Sequence, residues 1–182
     1  NLTPLSTRYR YEESEAAAQG VATAPAEGDA AAVPQTDTRV TTLQGLDFGD
    51  VIEMAGHDPI TINQGYAQRF NDLAGVDVSM EGGTTNVSLF LGQPRQRPIA
   101  ITLMERHPLG SQAFIPLQDR PWLVLVCTDV HDASSYRAFL ASGRQGVNYA
   151  RNVWHHPLLV NDADSRFLIV DRKGHGRNLE EV

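Results

Sequence analysis

Ile99, Ile101 and Leu103 alternate with Ala100, Thr102 and Met104, a period of two that a β-strand satisfies and a helix does not. Carried forward at the same parity, the face holding these three side chains also holds Glu105 and His107. A carboxylate left alone on an apolar face must find a cationic or metal partner or take up a proton. Pro108 and Gly110 then turn the chain, and Gln112 begins a second apolar run through Phe114 and Ile115 that can bring its amide back to the same pocket. Further on, Val153-Trp154-His155-His156-Pro157 sets two imidazoles side by side on a strand. Strand neighbours face opposite ways, so one of the two looks inward with His107.

The rest of the chain has the same texture of short apolar runs cut by turn residues. Strands are expected at Val51–Met54, Ile60–Asn63, Asn86–Leu91, Trp122–Thr128, Val153–Leu159 and Arg166–Asp171, separated by turns such as Gly56-His57-Asp58-Pro59, Gly82-Gly83 and Gln118-Asp119-Arg120-Pro121. One helix is expected, with Ser134 or Ser135 as its N-cap, Tyr136, Phe139 and Leu140 at helical spacing, and Gly143 as its stop. Many short strands with a single helix predict an all-β barrel or sandwich.

Composition narrows the function. A chain of 182 residues builds one ordinary domain, and its net charge of -7, with 15 scattered Lys and Arg, argues against a nucleic-acid or anionic-membrane surface. A small-molecule ligand suits it better. The one cysteine, Cys127, sits in the apolar run Trp122–Cys127 and reads as a core residue rather than a nucleophile, compatible with a reducing compartment. That run is far shorter than the ~20 residues that span a bilayer, and no secretory pattern opens the sequence, so a cytoplasmic protein is expected. Residues 1–42 stand apart: Ala16–Thr38 is Ala-rich with scattered Gly and Pro, and predicts an irregular segment ahead of a folded unit over residues 43–182.

The spacing Glu105-x-His107-x4-Gln112 resembles the first motif of cupin barrels, H-x-H-x4-E, with Glu and Gln at two ligand positions. Asn152-Val153-Trp154-His155 resembles their second, G-x-x-H, with Asn in place of Gly; this spacing favours His155 as the inward imidazole. The strings Gly49-Asp50-Val51-Ile52, Glu105 through Pro116, Gly146-Val147-Asn148-Tyr149, Val153 through Leu158 and Asp171-Arg172 are similar to those of the ureidoglycolate lyase family, also called ureidoglycolate hydrolase. The resemblance runs from about Gly49 to the C-terminal end.

That resemblance implies a cupin-type jelly-roll barrel with one or two short helices, a homodimer, and a divalent metal, nickel or manganese. It implies cleavage of ureidoglycolate to glyoxylate and urea in allantoin degradation. The metal set would be Glu105, His107, Gln112 and His155, with Glu105, His107 and His156 as catalytic candidates and Glu105 or His156 as the proton shuttle. Arg69 and Arg172 are candidates for the substrate carboxylate, which a guanidinium binds in a fork, and Asn63 and Asn148 for the urea end.

Each residue also has a plainer reading. Glu105 can pair with an arginine at a strand edge, His107 can be a turn residue, Gln112 can be structural, and His156 can support its neighbour. Two other functions compete: a cupin domain that binds a small carboxylate without turning it over, and a different metal-dependent cupin enzyme such as an oxygenase.

Overall fold

The structure is a computed structural model, and it describes residues 7–8, 40–43 and 48–182. The expected all-β architecture is present, built on two sheets whose inner faces oppose each other. One sheet has five antiparallel strands in the spatial order Gly49–Ile52, Gly146–Tyr149, Gln112–Pro116, Ser165–Lys173 and Thr84–Gly92. The other has seven and is centred on Trp122–Cys127, which lies between Trp154–His155 and Arg137–Ala141; beyond these lie Glu105–Arg106 and Glu180–Glu181 on one side and Val40–Thr42 on the other. Leu159–Val160 also pairs with the central strand.

Two apolar clusters follow from strand alternation. Phe114, Trp122, Val124, Val126, Val147, Phe167 and Ile169 fill the space between the sheets. The alternate residues of the central strand, Leu125 and Cys127, face outward and are covered by Ile99, Ile101, Met104 and Leu159. Cys127 is thus a core residue, and burial pushes its thiol up to about 11.

Two sequence expectations are corrected. The helix from Ser134 to Gly143 is absent: a single 3-10 turn at Ala133–Ser135 leads into the strand Arg137–Ala141. Its polar signal belongs to Asp132, whose side chain accepts from the Ser134 backbone N–H at 2.9 Å and from the Ser134 hydroxyl at 2.7 Å. Isolated helices this short are marginal, whereas the strand is hydrogen-bonded on both edges, by Trp122–Cys127 and, in parallel, by Val40–Thr42. The alternation from Ile99 also breaks. Ala100–Ile101 and Glu105–Arg106 are separate strands, and Met104 rather than Leu103 is the buried residue between them. Ahead of residue 43, Thr7–Arg8 pairs with Ala100–Ile101 and Val40–Thr42 joins the seven-stranded sheet; Leu43 is in the core. Ala16–Thr38 lies outside the described residues.

Candidate metal centre

Glu105 and His155 are direct cross-strand partners, so their side chains leave the sheet on the same face. The same register pairs His155 with Val126 of the inner cluster, which fixes that face as the interior. Trp154, one residue earlier, faces outward and carries the Arg106 guanidinium 4.5 Å over its ring. From the opposing sheet come Gln112 and its register partner Tyr149. The Tyr149 ring stacks on His155 with centroids 4.1 Å apart and planes 11° from parallel.

The four sequence-predicted ligands meet here. His155 Nε2 is 3.4 Å from Glu105 Oε1 and 3.2 Å from Gln112 Oε1, and His107 Nε2 is 4.0 Å from the same Glu105 oxygen. The ligand atoms of Glu105, His107 and His155 all lie within 4.8 Å of one another. Outer contacts set the tautomers. His155 Nδ1 lies 2.9 Å from the Val153 carbonyl and His107 Nδ1 lies 2.7 Å from the Asn178 carbonyl; a carbonyl only accepts, so each Nδ1 is the protonated nitrogen. Each Nε2 is therefore the nitrogen turned toward the Glu105 carboxylate, and it presents a lone pair when the ring is neutral.

With both imidazoles neutral, four acceptors converge with no donor among the described residues, and they repel one another unless a cation lies among them. A proton can join one pair only, and would leave the buried His107 Nε2 without a partner. A divalent metal serves all four, and ligating histidines that give their other N–H to a carbonyl are the usual arrangement. The residues present fit such an ion. Burial pushes the Glu105 carboxyl up, but a positive charge beside it, such as a protonated His155 that also donates to it, with smaller contributions from His107 and His156, outweighs burial and holds the group below its ordinary range.

His156 is apart from this group. It is buried, its Nδ1 faces the Pro157 carbonyl at 2.6 Å, and its Nε2 has no partner among the described residues. Burial pushes its imidazole down to about 4, against the pull of the Pro157 carbonyl, and the Arg95 charge adds to the depression.

The substrate candidates are dispersed. Arg172 is buried and its guanidinium is committed to the carbonyls of Met80 and His175. Asn148 faces away from the interior and donates to Asp50 Oδ2 at 2.9 Å and to the Gly75 carbonyl at 3.2 Å. Asn63 and Arg69 are exposed on the hairpin formed by Ile60–Ile62 and Ala67–Arg69. Two residues that hold the site were missed from the sequence. Tyr149 had a signal, since it shares strand parity with the core residue Val147. Asn178 had none: it meets His107 through its backbone carbonyl and the Leu109 N–H through its side chain, at 2.8 Å, only because the C-terminal strand folds back on Glu105–Arg106.

A search of known families decides the relationship: the model of the ureidoglycolate lyase family matches residues 37–182. The chain belongs to that family. Among curated relatives, a ureidoglycolate lyase of Burkholderia mallei is 58% identical over 136 residues, covering 74% of this chain and 79% of its own length. Ureidoglycolate lyase 1 of Rhizobium meliloti is 55% identical over 135 residues, 74% of this chain and 79% of that protein. A Burkholderia cepacia ureidoglycolate lyase is 52% identical over 146 residues, 79% and 82%. The cupin-like character of the ureidoglycolate lyase family agrees with the two-sheet barrel described above. Among the described residues, no helix is long and apolar enough to cross a membrane.

Proposed function

We propose that the barrel of residues 43–182 is a ureidoglycolate lyase, releasing urea from ureidoglycolate and leaving glyoxylate. The carrying observation, beside family membership, is the convergence of Glu105, His107, Gln112 and His155 inside the barrel. The reaction is an elimination: the substrate hydroxyl loses its proton, the glyoxylate carbonyl forms, the C–N bond breaks, and the departing nitrogen takes a proton. A divalent metal, nickel or manganese on this reading, supplies Lewis acidity that makes the hydroxyl easier to deprotonate.

The chain supplies the rest. Glu105, held ionised, accepts the hydroxyl proton and can return it to the urea nitrogen, so one carboxylate serves as base and then acid. Tyr149 and Asn178 keep the His155 and His107 rings in place. His156, buried and easily kept neutral, supports its neighbour. With the Arg172 donors engaged by carbonyls, Arg69 is the remaining arginine of the original pair for the substrate carboxylate. We place the protein in the cytoplasm, as a homodimer acting on a small molecule, with neither nucleic acid nor membrane as a partner.

The test is glyoxylate release from ureidoglycolate by the purified chain, before and after chelation and after return of nickel or manganese. Turnover lost with chelator and restored by metal is the expected result. Binding of ureidoglycolate without release would replace the lyase by a carboxylate-binding cupin.

A further inference from the structure

The five-stranded sheet carries apolar side chains on both sides. On its inner side Phe114, Phe167 and Ile169 belong to the barrel core, with the partly exposed Phe90 beside Phe167 and edge-on to Phe114. An antiparallel sheet with one face in the core normally turns a polar face to water. Here the outer rows are Val87 beside Val170, and Leu89 beside Leu168 beside Ile115. Val87, Leu89 and Leu91 are 63%, 69% and 66% exposed. One exposed leucine is ordinary, but a contiguous row on neighbouring strands is the mark of an interaction surface.

The strand that carries this row, Thr84–Gly92, is also an edge of the sheet, with no further strand beside it among the described residues. It is nine residues long and contains no charged residue and no proline. Long apolar edges are blunted by Lys, Pro or bulges when they face water, because their unpaired N–H and C=O groups recruit other strands. This edge lacks the charge and proline devices.

We propose that this surface binds a second copy of the chain, with the two Thr84–Gly92 strands antiparallel across a two-fold axis. The inference rests on the two-copy assembly proposed above and gives it an interface. A two-fold contact sets each patch against itself, so any charge on the strand would meet its own like; Thr84–Gly92 has none, in a chain of net charge -7. An oppositely charged partner would need charge to read, and among the described residues Thr84–Gly92 and its neighbour Ser165–Lys173 present Arg166, beside Leu91, on the outer face, while Arg172, beside Thr85, is buried. The chain's own Ala16–Thr38 is a poor cover, having no Leu, Ile, Met or aromatic residue to fill the gaps between leucines.

The test uses the full chain in sedimentation equilibrium, with hydrogen exchange alongside. Wild type is expected at twice the 20.0 kDa chain mass, with the Thr84–Gly92 amides protected at high protein concentration and released on dilution. Leu89→Arg and Leu91→Glu are each expected to weaken self-association at least 100-fold, with far-UV circular dichroism and bound metal unchanged. A dimeric wild type whose edge amides exchange freely, or whose Leu89→Arg and Leu91→Glu variants stay dimeric, would overturn this interface and leave the two-copy reading standing. A monomeric wild type would overturn both. Neither outcome touches the lyase assignment, which glyoxylate release tests separately.

Discussion

Tyr149 lies flat on His155, the two rings 4.1 Å apart and 11° from parallel, although they come from different sheets. The contact fixes the imidazole plane, and the Val153 carbonyl fixes its tautomer, so His155 Nε2 has one direction in which to point. An aromatic contact of this kind contributes roughly 0.5–1.5 kcal/mol beyond burial. Tyr149→Phe, which keeps the ring, is therefore expected to retain its metal and most of its turnover. Tyr149→Leu is expected to lose roughly tenfold or more in metal affinity, as when a ligand's support is removed. Metal titration followed by glyoxylate assay separates the two; a Tyr149→Phe variant that binds metal but is inactive would give the hydroxyl a chemical role.

The two adjacent histidines divide their work. His155 is 1% exposed and faces Glu105 and Gln112, whereas His156 faces the Pro157 carbonyl. His155→Ala is expected to remove metal and activity together. His156→Ala is expected to keep its metal and lose roughly 10- to 100-fold in activity. Equal metal loss in both would refute the division, and an inactive, metal-replete His156→Ala would make His156 the acid or base.

Asn178 ties the C-terminal strand to the site at two points. Asn178→Ala removes the side-chain bond to the Leu109 N–H and leaves the backbone bond to His107. Losing one such bond costs about 1 kcal/mol of stability, but the His107 turn loosens, and metal affinity is expected to fall roughly 10- to 100-fold. Competition with a chelator of known affinity measures this; unchanged affinity with a lowered Tm would make Asn178 structural only.

Gly110 packs against Arg172. A Cβ at position 110 would sit 2.6 Å from Arg172 Cβ and 3.2 Å from the Asp77 carbonyl, and neither neighbour is a free side-chain end. Gly110→Ala is therefore expected to destabilise the protein by about 1–3 kcal/mol, a Tm drop of roughly 2–4 °C for each kcal/mol. Arg172→Lys cannot reproduce the three guanidinium bonds to Met80 and His175 and is expected to lower Tm as well. If Arg172 binds substrate instead, Arg172→Lys will leave Tm in place and raise KM.

The sequence by itself determined the all-β class, since a period of two is a local property that any strand must express; it also set Glu105 and His107 two residues apart, although the alternation that suggested a shared face breaks before Glu105. It also marked Gln112 and His155 through their spacing. Tertiary structure decided which of His155 and His156 looks inward, because that depends on His155 standing opposite Val126 and Glu105 in neighbouring strands. It decided that Arg137–Ala141 is a strand despite helical spacing at Tyr136, Phe139 and Leu140, since hydrogen bonds along both edges outweigh a weak local preference. Likewise it turned Asn148 and Arg172, two side chains suited to a substrate, into ties for the loops at Gly75 and Met80. Local patterning sets where a side chain sits on its own strand; which distant groups it meets follows from how the two sheets close on their shared core, a choice made by long-range burial that no stretch of sequence contains.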